Sequence, residues 1–106
     1  MTPEEVQIEA SMRAIHEARM AGKRLPELEH IVLTSPRYAY IYAKNVIKGR
    51  WIEAEDVIMT DAWWSYCYAL FVIKDKLPEK MHNMMFLHAI KNPHDRSVKG
   101  YLHWII

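Results

Sequence analysis

The stretch SPRYAYIYAKNVIKGRWIEAEDVI, Ser35 to Ile58, decides the fold because a weaker copy of it follows 26 residues later. Seven of the 23 aligned positions from Pro36 to Ile58 are identical in the copy, where ordinary residue frequencies would give about one or two. The identical pairs are Tyr40 and Tyr66, Tyr42 and Tyr68, Ala43 and Ala69, Val46 and Val72, Ile47 and Ile73, Lys48 and Lys74, and Glu53 and Glu79. The second half of the unit also recurs 26 residues earlier, over residues 24–32. A fixed period of this length predicts stacked supersecondary units.

The apolar residues in these units recur at helical spacing, so the predicted fold class is all-α. We expect about six helices as alternating long and short pairs, in a compact helical-repeat array with an irregular C-terminal cap. The units span about residues 3–33, 35–59 and 61–91, the cap covers residues 92–106, and the whole chain is one domain, 1–106.

Local signals set the expected helix ends. Thr2 and Pro3 are a typical cap and first residue of a helix, which we expect to run from residue 3 to 21 and to end at Gly22. Gly49 is expected to supply the left-handed residue that ends the third helix, and Gly100 to stop a short helix or turn that begins at Asn92 and Pro93.

Composition points to an ordinary globular domain. The chain has 106 residues, a formal net charge of +1 and one cysteine, Cys67, so no internal disulfide can form and a reducing compartment is expected. The first residues lack a basic segment followed by an apolar one, so we expect no secretory signal and a cytoplasmic location. No apolar run approaches the roughly 20 residues needed to cross a bilayer.

The sequence gives weak signals for chemistry. His82, His88 and His94 are each six residues apart, which places them on different faces of a helix, so we expect no metal site and no cofactor. Cys67 lies between two tyrosines of the repeat and is interpreted as a small half-buried hydrophobe. The repeated acidic residues lie in first turns of short helices, where the helix dipole explains them. We therefore interpret the chain as non-catalytic.

Aromatic residues and methionines suggest a protein-binding patch centred on the fifth helix. Trp63 and Trp64 are adjacent, so they point about 100 degrees apart on a helix and at least one should be exposed. Tyrosines at this spacing are also typical of a helical core, and that alternative stays open. The candidate protein-binding residues are Tyr38, Tyr40, Trp63, Trp64, Tyr66, Met81, Met84 and Met85.

Basic residues recur near the ends of the long helices and predict a ladder along one edge of the array. With exposed aromatic side chains beside it, such a ladder could bind single-stranded RNA or DNA. The simpler explanation is that cations favour helix C-termini and are neutralised by nearby glutamates. The candidate nucleic-acid-binding residues are Lys23, Arg24, Lys48, Arg50, Lys74, Lys76 and Lys99.

The segment SPRYAYIYAKNVIKGRW followed by IEAE resembles short helical repeats of the form SPxYAYxYAxxVIKGRWPEAE, found in many small proteins of tailed bacteriophages and some large viruses. The match is close over residues 35–55, loose over 61–79, and limited to 24–29 in the first unit. The chain departs from the pattern at Ile52, where proline is usual. The resemblance implies a helical-repeat fold, no single activity, and a host-directed or regulatory role in the host cytoplasm.

The favoured function is a non-catalytic protein–protein interaction module, a small phage-encoded protein that binds and modulates or inhibits a host or phage protein. The alternative is an RNA- or DNA-binding helical repeat protein that uses the basic ladder. Self-association as a structural component is a third hypothesis, and an enzyme ranks last.

Overall fold

The chain folds into seven α-helices and two π-helical turns, with no strand, in a computed structural model that describes residues 1–106. The helices are α1 (Pro3–Ala21), α2 (Pro26–Val32), α3 (Pro36–Tyr42), α4 (Ile52–Ile58), α5 (Ala62–Tyr68), α6 (Glu79–Lys91) and α7 (Arg96–Ile105). The π-helical turns, Ala43–Ile47 and Ala69–Ile73, directly continue α3 and α5. The predicted all-α class is confirmed, with seven α-helices in place of about six.

Helix α1 begins and ends where the sequence predicts. The Thr2 hydroxyl accepts a hydrogen bond from the Glu5 backbone N–H at 3.1 Å, and the Glu5 carboxylate accepts one from the Thr2 N–H at 3.4 Å. Such a capping box satisfies two amide groups that the helix itself leaves free, and its cap residue contributes about 1 kcal/mol. At the other end, Gly22 adopts a φ of 70°, in the left-handed region that glycine tolerates.

The ends of α3 and α5 differ from the prediction, because the left-handed residue is a lysine. Lys48 and Lys74 both have a φ of 62°, so the expectation for Gly49 is wrong. The Lys48 N–H donates to the Ala43 carbonyl at 2.7 Å, five residues back, and the Lys74 N–H donates to Ala69 at the same distance. After α3, the left-handed residue is therefore Lys48, one position before Gly49. A side chain in this conformation costs about 1–2 kcal/mol relative to glycine.

Helices α1, α3, α5 and α7 are successive neighbours, and α2, α4 and α6 pack beside this row. The molecule measures 39 × 30 × 18 Å. Because a helix with its side chains is about 10 Å across, the shortest dimension holds about two helices.

The core combines small alanines with large aromatic side chains. Ala39, Ala43 and Ala69 are fully buried, which lets neighbouring helices approach closely. Trp51 is 2% exposed, and its ring packs against Tyr42 with a centroid separation of 5.0 Å. The Arg24 guanidinium of the first unit lies 5.8 Å from the Trp51 ring centroid, so this ring contacts both of the first two units.

The C-terminal segment forms a regular helix, α7, and Gly100 lies inside it, so the expectation that Gly100 stops a helix is wrong. The reason is a close contact with α5. A Cβ atom built on Gly100 would lie 2.7 Å from Cζ of Tyr66. A side chain at this position would force the Tyr66 ring to shift, so packing and not a turn explains the glycine.

Candidate functional site

A tyrosine hydroxyl joins the first two units of the chain. Oη of Tyr42 accepts a hydrogen bond from the Leu25 N–H at 3.0 Å and donates to the Glu29 carboxylate at 2.7 Å. The same carboxylate accepts two hydrogen bonds from Arg24, at 2.8 and 2.9 Å. These Arg24 bonds, with a smaller contribution from Tyr42, hold the pKa of Glu29 below its ordinary value. Burial, followed by the bond to Glu29, raises the pKa of Tyr42 to about 12.

The same cluster recurs 26 residues later. Oη of Tyr68 accepts from the Trp51 N–H at 2.9 Å and donates to the Glu55 carboxylate at 2.8 Å, and Arg50 binds that carboxylate at 2.8 and 3.1 Å. This copy lies deeper, because Glu55 and Tyr68 are both buried. Burial raises the pKa of Tyr68. A guanidinium and a tyrosine hydroxyl bind each of the two carboxylates. Glu29 and Glu55 therefore have a structural role, which is to connect neighbouring helices.

A third cluster replaces the carboxylate with an imidazole. Oη of Tyr101 accepts from the Leu77 N–H at 2.9 Å and lies 2.6 Å from Nδ1 of His82. Because the hydroxyl already accepts one bond, it donates its own proton to Nδ1 of a neutral His82, whose ring proton then lies on Nε2. Burial, together with nearby Lys76, holds the pKa of His82 below its ordinary value. The three clusters use their polar groups in contacts between helices, so a binding site is sought at the surface.

An open groove of about 600 Å³ lies between α1 and α3. We call it the α1/α3 groove. Its floor consists of Ile15 and Tyr38, which are 7% and 8% exposed, whereas Met12 and Met20 on its wall are 58% and 75% exposed. The complete lining is Met12, Ile15, His16, Arg19, Met20, Arg37, Tyr38 and Ile41. Exposed methionines above a buried apolar floor are typical of surfaces that adapt to a protein partner.

Two arginines give the α1/α3 groove a positive rim. Neither Arg19 nor Arg37 takes part in any of the five ion pairs of the structure. The Arg37 guanidinium carbon lies 5.5 Å from the ring centroid of Tyr38 and 6.0 Å from that of Trp64. Aromatic faces hold this guanidinium in place without neutralising it, so its charge is available to an acidic group on a ligand.

The structure buries half of the predicted protein-binding residues. Tyr40, Met81 and Met85 are 6%, 1% and 0% exposed, so the expectation that they form a contact surface is wrong. Tyr38 is also buried, yet it lies on the floor of the α1/α3 groove. The helical core had to be filled with large side chains, and these residues fill it.

The remaining candidates lie partly at the surface. Trp63 is 50% exposed and Trp64 is half-buried, so the prediction that both cannot be buried is confirmed. Tyr66 is half-buried between Trp63, with ring centroids 5.9 Å apart, and Gly100. Met84 is half-buried on α6. The structure therefore does not bring Trp63, Tyr66 and the α6 methionines together as one exposed patch.

The predicted basic ladder divides into paired and unpaired cations. Arg24 and Arg50 bind Glu29 and Glu55 within the tyrosine clusters, so their charge is largely neutralised. The unpaired members are exposed and have no carboxylate partner, namely Lys23, Lys48, Lys74, Lys76 and Lys99.

The histidines do not converge. No group of three or more His, Cys, Asp or Glu side chains lies close enough to hold a metal ion. His82 contacts Tyr101, Nε2 of His88 lies 3.0 Å from the Asp95 carboxylate, and His94 is exposed. The hydrogen bond from His88, with smaller contributions from Ser97, holds the pKa of Asp95 below its ordinary value.

The α1/α3 groove is the feature that sequence reasoning missed. Its exposed wall comes from Met12 and Met20 on α1. The available signal was that two large apolar residues, Met12 and Met20, lie eight positions apart on one helix. Helical spacing shows that such residues share a face, but not whether a neighbouring helix covers it.

In comparisons with protein-family models, curated proteins and solved structures, nothing matches this chain. None of the helices combines the length and the apolar character needed to cross a membrane.

Proposed function

We propose that this protein is a non-catalytic module that binds another protein through the α1/α3 groove. The observation that carries the proposal is a buried apolar floor flanked by exposed methionines and by two arginines without acidic partners. The partner segment supplies one or two large apolar side chains for the floor and an acidic residue for the rim. Consistent with the repeat resemblance, we further propose that the partner is a host or phage protein.

The size of the α1/α3 groove supports this occupant. About 600 Å³ is enough for a few large side chains. Side chains buried at the centre of an interface typically supply most of its binding energy, whereas rim charges set orientation and association rate. The floor residues Ile15 and Tyr38 would then act as the anchor site, and Arg19 and Arg37 would orient the segment.

The experiment is a selection of peptides from a random library on the immobilised protein, followed by affinity measurements with fluorescence anisotropy. We expect the selected peptides to share large apolar residues next to Asp or Glu. Met20→Glu should weaken their binding by about tenfold or more, because a carboxylate would enter an apolar wall and face the acidic flank. The matched control is Ile90→Glu on α6, where an apolar residue is 77% exposed outside the groove.

A charge exchange sharpens the test. Arg37→Glu should weaken the binding of a peptide with an acidic flank. It should strengthen the binding of the same peptide when lysine replaces the acidic residue. Equal loss of binding in Met20→Glu and Ile90→Glu, or unchanged binding in Met20→Glu with an intact melting curve, would contradict the proposal.

A further inference from the structure

A second hollow, of about 490 Å³, lies where the end of α1 meets the π-helical turn Ala43–Ile47. We call it the basic hollow. Its charged lining consists of Arg19, Lys23, Lys44 and Lys48, and Asn45 adds an amide. No carboxylate lines it. Four cations in one hollow contrast with a net charge of +1 for the whole chain.

The four cations of the basic hollow have no ionic partner within the protein. None of them occurs among the five ion pairs, although the neighbouring Arg24 and Arg50 are both paired. The Lys44 amine lies 4.9 Å from the ring centroid of Phe71, a contact that orients the charge without cancelling it. Like charges gathered in this way repel one another, so a bound anion would relieve the repulsion.

Backbone carbonyls at the end of α1 do not oppose an anion as strongly as a free helix end would. The Gly22 N–H donates to the Arg19 carbonyl at 3.1 Å, and the Lys23 N–H donates to Ala18 at 3.3 Å. On the other side of the basic hollow, Lys48 and Gly49 both donate to Ala43. These bonds satisfy the carbonyls of Ala18, Arg19 and Ala43, which reduces the negative potential that a frayed helix end would place beside the charged side chains.

The basic hollow occurs only once, although the backbone around it recurs. Lys74 has the same left-handed conformation as Lys48. However, the positions 26 residues after Arg19, Lys23 and Lys44 are Asn45, Gly49 and Leu70. The four cations are therefore grouped at one place in the fold. They do not form a row along the repeats of the kind that would bind a nucleic-acid strand.

We propose that the basic hollow binds a compact polyphosphate, either inorganic or the phosphate chain of a nucleotide. Several ammonium groups and a guanidinium suit a ligand that carries several negative charges within a few ångströms. A long nucleic acid would instead need cations along its backbone.

The test is isothermal titration of the protein with tripolyphosphate, with a short single-stranded oligothymidylate in a parallel arm. The decisive variants are Lys48→Gln and Lys74→Gln, which remove the same charge from the same backbone conformation at two exposed positions. We expect Lys48→Gln to weaken tripolyphosphate binding by about tenfold. Lys74→Gln should change it by less than about twofold, because Lys74 lies outside the basic hollow.

Two results would overturn the proposal: no binding of tripolyphosphate by the wild-type protein, or equal weakening by Lys48→Gln and Lys74→Gln. Tighter binding of oligothymidylate that depends equally on Lys48, Lys74 and Lys76 would also overturn it, in favour of a nucleic-acid ladder. Lys48 does not line the α1/α3 groove, so peptide binding tests the proposed function separately.

Discussion

Single hydroxyl groups hold neighbouring parts of this chain together. Tyr42, Tyr68 and Tyr101 each accept a hydrogen bond from the backbone amide of a residue just before α2, α4 or α6, namely Leu25, Trp51 and Leu77. An amide at that position precedes the helical hydrogen-bond ladder and needs an acceptor from elsewhere. The tyrosines supply it from the α-helix that follows along the chain, α3, α5 or α7.

Removing one such hydroxyl should be costly. We expect Tyr68→Phe to lower the free energy of unfolding by about 2–3 kcal/mol, because the buried Trp51 N–H loses its acceptor and the buried Glu55 loses a donor. Denaturant unfolding at neutral pH measures this difference. The matched control is Tyr66→Phe, since the Tyr66 hydroxyl has no hydrogen-bond partner. A loss for Tyr68→Phe no larger than for Tyr66→Phe would show that the hydroxyl contributes little.

At the level of elements, α7 rests on α5 through Gly100. We expect Gly100→Ala to lower the free energy of unfolding by about 1–3 kcal/mol, because its Cβ would overlap the Tyr66 ring. Alanine otherwise favours a helix interior by about 1 kcal/mol over glycine, so a loss of stability is informative. Thermal unfolding followed by circular dichroism measures the change.

Two further variants separate this contact from a general effect of glycine replacement. Gly49→Ala should be nearly neutral, because no atom lies within 4 Å of the added Cβ and the φ of Gly49 is not positive. Tyr66→Leu should reduce the cost of Gly100→Ala, since the smaller side chain leaves room for the methyl group. A gain in stability for Gly100→Ala alone would mean that α7 does not pack on Tyr66 as described.

Local sequence predicts the helices better than their ends. The limits of α1 follow from Thr2, Pro3 and Gly22, whose preferences act within one turn. The prediction that Gly49 is left-handed fails because the π-helical turn before it moves the left-handed position to Lys48. No residue type is characteristic of such a turn. The prediction that Gly100 ends a helix fails because this glycine makes room for Tyr66, which is more than 30 residues away in the chain.

For the whole molecule, stability should depend on pH through His82. The pKa of His82 lies below its ordinary value of 6.5 in the folded protein, so the folded state binds fewer protons than the unfolded chain between these two values. Stability is therefore full above pH 6.5 and falls as the pH decreases toward the lowered pKa. We expect denaturant titrations at pH 7.5 and 5.5 to show this loss, and His82→Gln to reduce it.

The control for this effect is His103→Gln, which alters an exposed histidine of α7 and should leave the difference between the two pH values unchanged. Glu29 and Asp95 do not interfere, because their lowered pKa values act only below about pH 4.5. A pH difference that persists fully in His82→Gln would assign it to another group.

The binding surfaces could not be obtained from the sequence for a reason that applies to the whole molecule. The α1/α3 groove and the basic hollow each combine residues that are about 20 to 30 positions apart. Whether these residues line a common surface depends on the distance between α1 and the segment formed by α3 and its π-helical turn. Local sequence patterns do not determine that distance. In contrast, the sequence repeat identifies the positions of Tyr42 and Tyr68. The spacing alone does not show whether these side chains are buried or exposed.

The tyrosine links also bear on how quickly the chain can fold. The hydroxyl of Tyr42 bonds a residue 17 positions earlier, and that of Tyr68 does the same. Loops this short close rapidly and lose little entropy, so two adjacent units can form a nucleus without the rest of the chain. Refolding should therefore be fast, and it can start from the middle and spread toward both termini.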